Sequence, residues 1–192
     1  MGTTRNHPLH IAFLLAVVTG MRKGEILGLR WEDIDEEHRV IRVQRQLTGS
    51  GQHKQMSAPK TERSRRAIAI GDEVITALRA HRRLQADQKS ARGDRWVESG
   101  LVVTTSRGTP VDPRNLLTQF KKQMVVAQLP ETTTLHDLRH SHATMLLRNN
   151  VHPKIVSERL GHSTIIITLD TYSHVLPTMQ AEAAQITDHM LS

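Results

Sequence analysis

The sequence contains no cysteine in 192 residues, which excludes disulfides, CxxC zinc sites and thiol catalysis. Aromatic residues supply only 3 % of it. The core must therefore be aliphatic, and stacking of bases on aromatic platforms is not how this chain would hold a nucleic acid. No signal peptide opens it and no apolar run is long enough to span a bilayer, so the expectation is a soluble, cytoplasmic protein. Internal repeats and low-complexity tracts are also missing. Tyrosine occurs once, at Tyr172, and a residue type used a single time is a candidate for chemistry rather than filler.

What the chain has in excess is positive charge. Lys and Arg number 26 against 19 Asp and Glu, a net +7, with a pI near 10.4. That balance favours a polyanionic partner, held through its phosphates. The length suits one domain able to bury a real core.

The apolar stretch from His7 to Thr19 predicts a central helix ending at Gly20. A short helix follows, in which Arg22 and Glu25 are three apart, so that the carboxylate can orient the guanidinium. Val40 to Leu47 alternates as a half-buried strand, and Met56 to Pro59 and Ala67 to Ile70 read as two further short strands. Together they predict a small three-stranded antiparallel sheet whose basic hairpin tip carries Lys60, Arg63, Arg65 and Arg66, with Lys54 nearby, as DNA contacts. Long helices are expected over Asp72 to Ala91 and Arg114 to Gln128, and a last helix from Pro177 repeats Met179, Ala183, Ile186 and Met190 at helical spacing. The fold class is thus α+β, mainly helical.

The stretch from Thr134 to His174 concentrates the chemistry. His136 and Arg139, three apart on a helix, can converge on one anion, and an Arg fork matches the oxygens of a phosphate. Gly161 caps the next helix, His162 lies just past it, and Tyr172 closes the helix after that. A phenol among such donors suggests nucleophilic attack on a phosphate. Any one of these residues taken alone would be an ordinary core or surface side chain.

Three segments, TGMRKGEILGLRWEDID, LHDLRHSHAT and LGHSTIIITLDTYSHV, resemble the signature boxes of the tyrosine recombinase, or phage integrase, family, in the family's order from Thr19 to Val175. The resemblance implies the DNA breaking-rejoining fold and a site-specific recombinase that integrates or excises a mobile element or phage genome. By match to the boxes, Arg22 is the first arginine, His136 and Arg139 the HxxR pair, His162 the second histidine, Tyr172 the nucleophile and Lys60 the mobile catalytic lysine, with Glu25 supporting Arg22. Leu135 stands where many relatives carry proline. The resemblance implies no cofactor and no metal ion. As partners it implies double-stranded DNA bearing attachment sites, a tetramer formed on that DNA from a monomer, and an accessory directionality factor. Residues 1–176 would be the catalytic domain and 177–192 a helix exchanged between protomers. The segment before His7 is too short for the family's N-terminal DNA clamp.

The implied reaction is attack of Tyr172 on a DNA phosphate, giving a 3'-phosphotyrosyl link and a free 5'-hydroxyl. Arg22, Arg139 and His162 would stabilise the charge that builds on the phosphate oxygens, His136 would receive the phenol proton, and Lys60 would protonate the leaving oxygen. Other classes fit less well. His136 and His140 are four apart as in HExxH, but Asp-Leu-Arg between them puts a cation where a zinc hydrolase needs glutamate. A basic DNA-binding module without chemistry leaves the single tyrosine unexplained, and a type IB topoisomerase would share the attack but not the exchange of strands between duplexes.

Overall fold

The computed structural model describes residues 8–59, 64–172, 185 and 187–189. Helix α1, His10–Thr19, begins three residues later than expected and is buried along most of its length, with Ile11, Phe13, Leu15 and Ala16 in the core. It stops at Gly20, whose φ of +64° is left-handed. Glycine is required there twice over, because a Cβ would lie 2.7 Å from Leu160 Cδ2 and 2.9 Å from His142 Cδ2. Around α1 pack α2 (Lys23–Gly28), α3 (Asp72–Arg92), α4 (Pro113–Val126) and α5 (Leu135–Arg148). Their inward side chains Ile26, Leu27, Leu78, Leu116 and Phe120 are essentially inaccessible, and Phe120 meets Phe13 at a ring separation of 5.8 Å. Leu101, Val102 and Val103 enter this core as a buried loop tied to Leu29 rather than as a strand.

The sheet differs from the sequence-based expectation. The strand predicted over Val40 to Leu47 is broken into β2 (Val40–Val43) and β3 (Gln46–Thr48), and the three-stranded sheet takes its remaining members from β1 (Ile34–Asp35) and β5 (Arg66–Ala69). The piece around Met56 is β4 (Gln55–Ser57), which pairs with β3 in a separate two-stranded ribbon. The break coincides with Arg45, which pairs with the buried carboxylate of Asp33 and with Glu32. Register shows what this does to the basic segment. Val43 is opposite Arg66 and Gln46 opposite Ser57, so β2 and β3 take different partners from the returning chain. β4 and β5, the strands on either side of the basic segment, therefore do not pair with each other, and the tip of the β3–β4 ribbon is the turn around Gly51–His53. Lys60 and Arg63 lie outside the described residues.

A second, smaller core joins α5 to α6 (Pro153–Leu160) and α7 (Ile165–Tyr172) through Ala143, Leu147, Val156, Leu160 and the ring of Tyr172. Helix α5 is started by a reciprocal cap: Asp137 N donates to Thr134 Oγ1 and Thr134 N donates to Asp137 Oδ2 at 2.7 Å. This fixes the rotational setting of α5 and so the direction of His136, Arg139 and His140. Of the last helix, residues 185 and 187–189 are helical; Met179, Ala183, Ile186 and Met190, on which its apolar face was read, lie outside the described residues.

His142 welds the two cores. It is buried, accepts a hydrogen bond from Arg159 Nε at 3.0 Å, and is pushed down to about 4 by burial and by the charge of Arg159. Between about 6.5 and about 4 the unfolded chain takes up a proton that the folded domain refuses. Stability is therefore complete above about pH 6.5 and falls as the pH drops, by roughly 2 kcal/mol at pH 4.5 from this residue. Urea unfolding at pH 7 and pH 4.5 should record that loss, and His142→Gln, whose neutral amide still accepts from Arg159, should flatten the slope. An unchanged slope would mean that His142 is not the group being titrated.

Candidate active site

The carbonyl groups at the ends of two helices shape the site. An α-helix leaves its last carbonyls unpaired and carries partial negative charge there. Helices α1 and α6 both end at this place, and arginines take their carbonyls. Arg139, on α5, donates to Gly20 O at 2.6 Å and to Leu160 O at 2.8 Å. Arg22, at the start of α2, donates to Gly161 O at 3.3 Å. Arg66 Nε donates to Arg159 O at 2.6 Å, and Arg159 itself reaches back to Val18 O at 3.0 Å. Gly161 is left-handed at φ +67°, and a Cβ on it would come within 2.9 Å of Arg66 Nη1, so the α6 terminus can approach this closely only as glycine.

Among these cations sits one buried carboxylate. Glu25 accepts from the backbone N of Arg22 at 2.8 Å and from Arg22 Nη1 at 3.0 Å. It also accepts from both terminal nitrogens of Arg66, at 3.0 and 2.9 Å. Burial alone would raise its pKa, but the two guanidiniums hold it below the usual carboxylate range. Arg66 thus differs from its expected place among the DNA contacts: its side chain is 6 % exposed and turned inward on Glu25. Sequence reading missed this because the partner is 41 positions away. Arg65 is exposed, and Lys54 donates to the carbonyl of Pro110, away from the cleft.

Arg22, Glu25, His136, Arg139, His140, His162 and Tyr172 all line one cleft of about 640 Å³. Pro59 and Ser64, the described residues on either side of the basic segment, line it too. Arg139 is lowered to about 9 by burial and by the charges of Arg22 and Arg66, and so stays cationic at neutral pH. His162 is pushed to about 4 by burial and then by Arg139 and Arg22. It is neutral at physiological pH, and its Nδ1 meets the buried hydroxyl of Thr168 at 2.8 Å. With that hydroxyl donating, the ring proton is on Nε2, a neutral donor for the cleft.

The phenol of Tyr172 meets His140 Nδ1 at 2.8 Å. His136, expected to take the phenol proton, instead stands edge-on to His140, with ring centroids 4.6 Å apart. The contact to the phenol is therefore made one helical turn further along. Its signal was the i, i+4 spacing of the two histidines, which had been weighed only as a metal pair. Among the described residues no group of three or more His, Asp or Glu side chains is placed to hold a metal ion.

The phage integrase family model matches residues 3–179. A tyrosine recombinase XerC-like protein of Caldanaerobacter subterraneus subsp. tengcongensis is 39 % identical over 193 residues, covering 94 % of this chain and 49 % of the relative. The ICEBs1 integrase of Bacillus subtilis is 28 % identical, covering 93 % of this chain and 48 % of the relative. The solved structure of the Tn1549 transposon integrase in complex with transposon right end DNA superposes with a TM-score of 0.77 at 26 % identity, over 94 % of this chain and 58 % of that one. The XerA recombinase, at 21 % identity and a TM-score of 0.71, shares the fold over 95 % of this chain and 60 % of its own. The chain spans about half the length of the curated relatives it matches.

Burial raises the Tyr172 phenol above its ordinary value, and Arg139 opposes the rise. Because the sequence has one tyrosine, tyrosinate absorbance reports this residue alone. Titrating the folded domain without DNA should give a midpoint above about 10. A midpoint below that, with the helical circular dichroism intact, would mean that the positive charge of Arg139 outweighs burial.

Proposed function

The chain belongs to the phage integrase family, and from that premise we propose that residues 1–176 are the catalytic domain of a site-specific DNA recombinase working through a 3'-phosphotyrosyl intermediate. The observation that carries the proposal is a single phenol, hydrogen-bonded to a histidine, in a cleft with two guanidiniums and a neutral imidazole. A phosphodiester in that cleft would place its non-bridging oxygens on Arg22, Arg139 and His162. Charge that builds on those oxygens during displacement is then met by donors already in position.

The phenol oxygen of Tyr172 attacks phosphorus as its proton passes to His140, with His136 packed behind that ring. The bond to the 5'-oxygen breaks, Lys60 supplies the proton for the departing hydroxyl, and a 5'-hydroxyl of the partner strand reverses the sequence. Phosphate bond energy is kept throughout. One feature supports Lys60 in this role: Pro59 and Ser64, the described residues on either side of it, both line the cleft. Arg63, Arg65 and Lys54 are assigned to the DNA backbone. Double-stranded DNA with attachment sites is the substrate, and a ring of four subunits on two duplexes is the working assembly, with residues 177–192 exchanged between neighbours and an accessory factor setting direction. The apolar side chains of Ile155, Ile166 and Ile167, exposed on α6 and α7, are a surface such an exchange could cover.

A nicked suicide duplex, from which the 5' fragment diffuses away after cleavage, tests the reading. The wild-type chain should accumulate covalent adduct in the presence of EDTA, and Tyr172→Phe should bind but form none. Lys60→Ala should slow adduct formation by about 10²-fold or more, and a 5'-thio leaving group, which needs little protonation, should restore it. Adduct formation by Tyr172→Phe, or dependence on an added divalent ion, would overturn the proposal.

A further inference from the structure

Arg66 touches no solvent to speak of and does not line the cleft, yet it spends both terminal nitrogens on the carboxylate that orients Arg22. We infer that Arg66 is a positioning residue for strand cleavage: by sharing Glu25, it keeps Arg22 from being neutralised and leaves it free to bind phosphate. The inference rests on the strand-transfer reading above.

The argument is one of charge and valence. Glu25 is 2 % exposed, so its carboxylate must be satisfied by protein groups. If Arg22 were its sole cation, a two-pronged pair would form, as carboxylates and guanidiniums prefer. Both prongs of Arg22 would then face Glu25 instead of the cleft, and the pair would carry no net charge. Instead Arg66 supplies one hydrogen bond to each Glu25 oxygen, and Arg22 needs only Nη1 for it. The side chain of Arg22 remains 40 % exposed. The triad keeps a charge of one, which adds to that of Arg139. Arg66 is itself fixed by the carbonyls of Arg159 and Ser64, so it also ties the α6 terminus, two residues before Gly161, to Ser64 and the start of β5. No DNA contact is required of it.

A purely structural staple would hold the same bonds, so the test must separate charge from fold. Suicide duplexes captured by the wild-type chain from a random-sequence nicked pool serve as the probe, and single-turnover adduct formation is followed beside DNA binding and thermal melting. Arg66→Gln should slow adduct formation by about 10²-fold, the scale of losing one preorganised donor, with DNA affinity within about threefold. Arg66→Lys should recover at least about tenfold of that loss by restoring the charge. The decisive variant is Arg66→Gln with Glu25→Gln, in which nothing neutralises Arg22: it should react faster than Arg66→Gln alone. A double variant no faster than Arg66→Gln, or rates that follow melting temperature across the set, would reduce Arg66 to a staple and end the inference. If Arg66→Gln melts below the assay temperature, comparing Arg66→Lys with the double variant decides the same point. Capture by the wild type together with wild-type rates in Arg66→Gln would refute this inference alone, whereas no capture by the wild type would end the strand-transfer reading and this inference with it.

Discussion

Several guanidiniums cannot share one cleft unless something offsets their mutual repulsion, and here the offset comes from backbone more than from side chains. The C-terminal ends of α1 and α6 present their spare carbonyls to the same space, and Arg22, Arg66, Arg139 and Arg159 each take at least one. Neutral carbonyls stabilise a cation without cancelling it. The one carboxylate, Glu25, is divided between two arginines. The cleft therefore remains positive while every buried charge has partners, which is the condition a site for phosphate oxygens has to meet.

The same convergence sets the state of the neighbouring groups. His162 is neutral because its ring is partly buried and because Arg139 and Arg22 stand close to it, and Arg139 keeps its charge because its surroundings are polar rather than empty. Tyr172 is placed by a different force. Its ring is packed into the small apolar cluster of α5, α6 and α7, which delivers the phenol oxygen to its hydrogen bond with His140. Loss of packing around Leu160 would move the Tyr172 phenol and an Arg139 acceptor together, since that residue contributes to both. In this respect the second core and the site are one structure.

Local features were legible in the sequence and distant ones were not. The Arg22–Glu25 pair, the stop at Gly20, the cap at Gly161 and the shared face of His136 and Arg139 depend on residues three or four apart, and each is where its spacing predicts. The mainly helical α+β class followed from the same periodicities. Strand pairing does not follow from alternation alone: the break at residues 44–45 sits beside the pair of Arg45 with Asp33, and the strands on either side of the basic segment take different partners instead of forming one hairpin. Arg66 looked like one more charge in a solvated run, because its partner lies on another element. His140 was hidden for the opposite reason, standing beside so strong a candidate in His136 that its own reach to Tyr172 went unweighed.

The central claim is that this cleft directs Tyr172, and no other side chain, onto phosphorus. Mapping the bond in a trapped adduct tests it most directly. Trypsin cuts after Arg159 and meets no later Lys or Arg, so the chain from Leu160 to its end is released as one peptide. Mass spectrometry of the nuclease-trimmed adduct should place a 3'-linked nucleotide on that peptide, with fragmentation localising the phosphodiester to Tyr172. A nucleotide on any other residue, or one linked through a 5'-phosphate, would contradict the account.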